Sequence, residues 1–109
     1  MDELLLTTID AVPNRRVVRV IGLVRGTSVR ARDLSQDVMS GLRNLVGGEI
    51  SECTKIIAEA REEALDRLAA QAAANGANAV VGLRFATAEV MTGAAELLAY
   101  GTAVVLEDA

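Results

Sequence analysis

The residues able to do chemistry in this chain are few and far apart. Cys53 is the only thiol, and there is no His and no Trp. Without imidazole, both the usual general base and the commonest metal ligand are missing. A nucleophilic Cys53 would need a base that the sequence does not supply. One Cys allows neither a disulfide framework nor a Cys-x-x-Cys site within a single chain. Cys53 stands near the start of a long helical pattern and inside its apolar stripe. The first position favours thiolate character, and the second favours burial as a small hydrophobe. Burial is the default, and copies of Cys53 converging on a symmetry axis are the route by which it would enter a metal site.

Other polar clusters resolve into ordinary roles. Gly47-Gly48 followed by Glu49 and a helix start is no phosphate loop, because the Gly-x-x-x-x-Gly-Lys-Ser/Thr pattern is absent and Lys55 is the only Lys. The acids Glu49, Glu52, Glu59, Glu62, Glu63 and Asp66 follow no calcium-loop spacing and read as a solvated helix face. Arg61 borders the apolar stripe between Ile57 and Leu68, so a half-buried guanidinium with a carboxylate or carbonyl partner is expected there, as a structural pair or an anion clamp. Arg43 is the second basic residue of interest. Arg15, Arg16, Arg19, Arg25, Arg30 and Arg32 form a basic run; the solvated reading is preferred over an anion or nucleic-acid patch. A net charge of −4 and two aromatic residues give a poor footprint for nucleic acid.

The elements that must position these residues follow from pattern. A chain of 109 residues that is 51% hydrophobic fits one compact domain, 1–109. No segment approaches the roughly 20 apolar residues of a membrane helix, and the acidic MDELLLTTID start does not read as a signal peptide. With one free thiol, a soluble, cytoplasmic protein is expected. Leu4 to Ile9 reads as a strand and Pro13-Asn14 as a turn. Arg16 to Arg30 reads as one long bent strand, with Gly22 and Gly26 marking bulges or a close backbone approach. Asp33 and Gln36 open a first helix that Gly47-Gly48 ends. A second helix runs from Ser51 to Asn75, with Glu63 and Arg67 as an i,i+4 pair. Ala79 to Val90 and Glu96 to Glu107 read as strands joined near Thr92-Gly93. The expected fold is α+β, in the order β-β-α-α-β-β: an antiparallel-rich sheet with two helices on one face.

Both faces of the long strands are apolar. Simple alternation puts Val18, Val20, Gly22 and Val24 on one face of the second strand, and Val17, Ile21 and Leu23, interrupted by Arg19 and Arg25, on the other. In the last strand, Leu98, Val104 and Leu106 oppose Leu97, Ala99, Ala103 and Val105. A half-exposed antiparallel sheet carries polar residues on its outer face, and soluble monomers rarely expose a large apolar patch. A homo-oligomer that covers the second face is therefore expected.

Several segments, in order, resemble the YbjQ-like family, small bacterial proteins often labelled heavy-metal-binding. They are Gly41-Leu42-Arg43-Asn44-Leu45-Val46-Gly47-Gly48, Ala60-Arg61-Glu62-Glu63-Ala64, Gly76-Ala77-Asn78-Ala79-Val80-Val81-Gly82 and Ala99-Tyr100-Gly101-Thr102-Ala103-Val104. The early Leu6-Thr7-Thr8 and the Ile21-Gly22-Leu23-Val24-Arg25-Gly26 strand look alike too. The resemblance spans nearly the whole chain. It implies an α+β subunit of a homo-oligomeric ring, typically a pentamer, single or stacked, and no established enzyme activity. Relatives commonly carry Arg and then Tyr after the Gly pair, where this chain has Glu49 and Cys53. One hard and one soft donor per chain make an incomplete site for any single metal.

The expected function is a non-enzymatic oligomeric binding or scaffold protein, with Arg43, Glu49 and Arg61 as inter-subunit pocket residues and Cys53 beside them. No cofactor is expected, nor a membrane or nucleic-acid partner. A heavy-metal module built from symmetry-related Cys53 and Glu49 is the alternative, and an enzyme the third reading.

Overall fold

The computed structural model describes residues 3–30, 51–91 and 94–109. Its elements are β1 (Leu5–Leu6), β2 (Arg15–Arg30), α1 (Ser51–Ala74), β3 (Ala79–Met91) and β4 (Ala94–Asp108). They build an α+β fold: a four-stranded sheet in the order β1-β3-β4-β2, with α1 packed on one face. β1 runs parallel to β3, and the other pairings are antiparallel, so the sheet is mixed. The first of the two expected helices, with the Gly47-Gly48 pair, and the turn at residues 92–93 lie outside the described residues.

The first strand is shorter than the expected Leu4 to Ile9. Past Leu6 the chain still follows β3, through Thr7 N–H to Val80 O at 3.0 Å and Gly82 N–H to Ile9 O at 3.0 Å. That path does not keep strand geometry. Pro13 precedes Asn14, which takes φ 64° in the turn, and β2 begins at Arg15.

α1 ends as its Gly requires. Gly76 adopts φ 86°; its N–H reaches Ala73 O at 3.0 Å, and the Ala77 N–H reaches Ala72 O at 3.1 Å. These two bonds satisfy the last free carbonyls of the helix. The helix buries Ala60, Ala64, Leu68 and Ala72, four residues at i,i+4 spacing, and the last three pack against Val24, Val80, Leu83, Ala99 and Ala103 of the sheet. Ile57, placed in the stripe by the helical period, is instead exposed.

Both glycines singled out in β2 have structural roles. Register shifts fall between Val17 and Arg19 and between Val20 and Gly22. Each added residue reverses which side the following residues face. Strict alternation across the whole strand is thereby overturned. Val20 does not share a face with Val24: it pairs with Val104 on the side away from α1, and Ile21 packs toward the helix core. Gly26 serves the close approach. A Cβ there would overlap the carbonyl oxygen of Ala64 and the amide nitrogen of Leu68, both helix backbone atoms.

That contact lets α1 side chains reach the outer edge of β2. Ser28, fully buried, donates from Oγ to Glu63 Oε1 at 2.7 Å. Arg67 Nη1 donates to Thr27 O at 2.6 Å and lies 3.5 Å from Glu63 Oε1. The Arg25 N–H donates to Gln71 Oε1 at 2.8 Å. Glu63, Arg67 and Gln71 thus form one row over the strand edge. The expected Glu63–Arg67 pair is present, but Glu63 belongs to the sheet side of the helix and not to the solvated face.

On the opposite sheet face Val12, from the β1–β2 loop, covers Ala79, Val81, Val104 and Leu106. Asn78 ties this end together, accepting from Leu106 N–H at 2.7 Å and donating to Leu106 O at 2.9 Å.

Two substitutions test this packing in equilibrium urea unfolding. Gly26→Ala is expected to cost about 2 kcal/mol or more, because helix backbone must move to admit the methyl group. A loss below about 0.5 kcal/mol would show that helix and strand do not meet at Gly26. Ser28→Ala, which removes a buried donor to a carboxylate, is expected to cost about 1–2 kcal/mol, and an unchanged midpoint would contradict the Ser28–Glu63 bond.

Candidate functional site

The residues named from sequence are not assembled into one site among the described residues. Arg43 and Glu49 lie outside the described residues. Cys53 lies within the helical span of α1, and its side chain is also outside the description. Arg61 is described, and it corrects the expectation of a half-buried guanidinium. It is exposed and makes no ion pair among the described residues. The physical reason is the stripe itself. Ala60 and Ala64 are the buried residues of this stretch, and Arg61, one position on from Ala60, is turned out of the buried stripe.

Among the described residues, two surface depressions bear on a site. One, of about 510 Å³, lies along α1 and is lined by Ala58, Glu59, Glu62, Glu63 and Asp66. Glu59, Glu62 and Asp66 are the solvated acidic face expected from the sequence, and Glu63, bonded to Ser28, borders it from the sheet side. The other, of about 440 Å³, lies at the end of the sheet, among Glu3, Leu5, Arg15, Asn78 and Glu107 with neighbours. Arg15 in its lining is paired across strands, with Nε 3.4 Å from Asp108 Oδ1, and Glu107 is paired with Arg16, whose Nη2 lies 3.6 Å from its Oε1. Neither depression sets a nucleophile beside a base. Among the described residues, no group of three or more His, Cys, Asp and Glu side chains could hold a metal ion. No helix among them is long and apolar enough to cross a membrane.

The feature that calls for a function is the sheet face away from α1. Beyond the part covered by Val12, Val20 is 64% exposed, Leu23 68% and Val29 50%. Val17, paired with Leu106 on the same face, is also exposed. These residues project from β2 beside Leu98 and Tyr100 of β4, which are only half-buried. Sequence reasoning anticipated an apolar second face and misassigned Val20 to the other side. Arg25 lies on this face, where alternation with Leu23 places it, and the charged member that the sequence pattern misses is Arg84; register sets the two on either side of Tyr100. Their signal is non-local. Nothing in the spacing along the chain links residues 25, 84 and 100.

Comparison with known proteins gives the family. A family model described as "Putative heavy-metal-binding" matches residues 4–107. A UPF0145 protein of Thermus thermophilus is 53% identical over 107 residues, covering 98% of this chain and 94% of that one. A UPF0145 protein of Archaeoglobus fulgidus is 51% identical over 102 residues, covering 94% of each chain. A crystal structure of a protein of unknown function from Pediococcus pentosaceus, of the DUF74 family, superposes with a TM-score of 0.63. At 16% identity it covers 95% of this chain and 98% of that one, a likeness of fold. The match to the model over nearly the whole length, and identities above half to these relatives, place the chain in the YbjQ (UPF0145) family, a family of unknown function.

Proposed function

We propose that this chain is a non-enzymatic, homo-oligomeric binding or scaffold protein, in which each subunit covers the open sheet face of its neighbour with another part of its surface, so that the subunits close a ring. The observation that carries the reading is the exposure of Val17, Val20, Leu23 and Val29 on one side of β2. Such a row, with its neighbours on β4, amounts to roughly 400 Å² of apolar surface, at the level that marks an interaction site. Covering it at about 25 cal/mol per Å² contributes on the order of 10 kcal/mol before association costs. The edge of β2 is guarded at Arg25 and Thr27 by Gln71 and Arg67, which disfavours strand addition there and leaves the open face as the surface to cover. A pentamer is the ring size the family likeness implies. Such a ring offers pockets between subunits, where Arg43, Glu49 and Cys53 remain the residues to probe.

A metal-binding reading draws on the description of the family alone. Symmetry-related Cys53 and Glu49 would supply its donors. Dialysis against zinc, copper or cadmium followed by elemental analysis tests it. Stoichiometric metal that is lost in Cys53→Ala supports the module; trace metal unchanged in that variant rejects it.

Assembly has a direct readout. Native mass spectrometry is expected to give a multiple of the 11.4 kDa subunit mass, and Leu23→Glu is expected to reduce it to the monomer with an unchanged far-ultraviolet circular dichroism spectrum. A wild-type mass of one subunit at micromolar concentration overturns the proposal. A Leu23→Glu variant that still assembles moves the interface off this face.

A further inference from the structure

The open face is apolar at its margins and cationic at its centre. Arg25 of β2 and Arg84 of β3 stand directly opposite Tyr100 of β4, one on each side. Their shared face follows from their neighbours. Val24, Leu83 and Ala99 all lie in the core beneath α1, so the next residue of each strand turns to the other side. With strands about 4.8 Å apart, the two Arg residues start about 10 Å from each other with the phenol between them. Long side chains can close that gap around a small group.

Neither guanidinium has a carboxylate partner among the described residues, whereas Arg15, Arg16 and Arg67 each have one. Arg84 is held in place: its Nη1 donates to Thr8 O and to Leu83 O, both at 2.9 Å. Its remaining N–H groups stay available. The backbone N–H of Arg25 is engaged by Gln71, while its side chain is exposed and unpaired among the described residues. Nearby acids do not fill the gap. Glu96 shares the face but sits four residues along β4 from Tyr100, about 13 Å away. Asp10 lies beside Gly82 and makes no ion pair among the described residues.

A second subunit laid over Val20, Leu23 and Val29 would also cover Arg25 and Arg84. Two guanidinium groups desolvated without a countercharge oppose that burial. We propose that Arg25, Arg84 and Tyr100 form a binding site for a small oxyanion, a free phosphate or carboxylate, enclosed at the face between subunits. Guanidinium N–H pairs engage such an anion through bidentate, charge-assisted bonds, and the phenol O–H adds a third donor. The inference rests on the assembled face for its enclosure.

Tyr100 is its own reporter, because the chain has one Tyr and no Trp. The assembled protein is titrated with inorganic phosphate at constant ionic strength, chloride serving as the control anion, and Tyr100 emission is followed. A saturable change at millimolar phosphate or below is expected, weakened roughly tenfold or more in Arg25→Gln and unaltered in Arg16→Gln, which removes the same charge from the far end of β2. No saturable response, or one indifferent to Arg25→Gln, overturns the site. Light scattering on the same samples separates the two proposals. An oligomer without a phosphate response overturns the site and leaves the assembly; a responding monomer keeps the site and overturns the assembly.

Discussion

Gly26 brings a helix and a strand to backbone contact, and much of the described fold depends on that distance. With no Cβ on the strand, the Ala64 carbonyl and Leu68 amide of α1 sit directly above β2. Ala64 and Ala72, with Leu68 as the one large helix side chain, then pack directly on the sheet in a core cluster that has no aromatic residue. The same closeness brings Glu63 to the buried Ser28 hydroxyl, Arg67 to the Thr27 carbonyl and Gln71 to the Arg25 N–H. A long edge strand is ordinarily a template for further pairing. Here the helix itself occupies part of that edge, so the exposed apolar surface is concentrated on the face and not along the edge of β2.

How far this was legible in the sequence depended on whether the signal was local. The long strands, the Ser51 helix and its Gly76 stop were readable because composition, period and Gly conformation act within a few residues. Gly22 and Gly26 were readable as special positions, and they divide into the two roles expected, one beside a bulge and one at a close approach. What the bulges do to the side-chain pattern was not readable. Two extra residues before Gly22 reverse the parity of the strand twice, so strict alternation puts Val20 on the wrong face. Glu63 escaped for a related reason. It flanks the buried stripe, and only the position of β2 beneath it makes a partner of Ser28. Arg61, also on the margin of the stripe, met no strand and turned to solvent.

The cationic row across the open face is the least local feature of all. Its members come from three strands and are joined by register alone. A run of Arg residues in β2 was visible from the start, yet the run is not the unit that matters. Arg15 and Arg16 are paired with Asp108 and Glu107 at the end of the sheet. Arg25 is separated from them by fold and not by sequence, and it finds Arg84 and Tyr100 as its neighbours.

An apolar face with charges at its centre sets two demands against each other. The apolar rows gain by leaving water, while the guanidinium groups lose by it unless a negative charge arrives with them. In the proposed assembly an oxyanion would meet both demands at once, since its binding lowers the cost of covering Arg25 and Arg84. Assembly and ligand affinity would then be linked: an anion that binds the covered face better than the open one stabilises the covered state by mass action. A binding protein without catalytic groups can in this way convert anion concentration into a subunit equilibrium. That gives physical content to a role in which the ring is the product and the ligand its control.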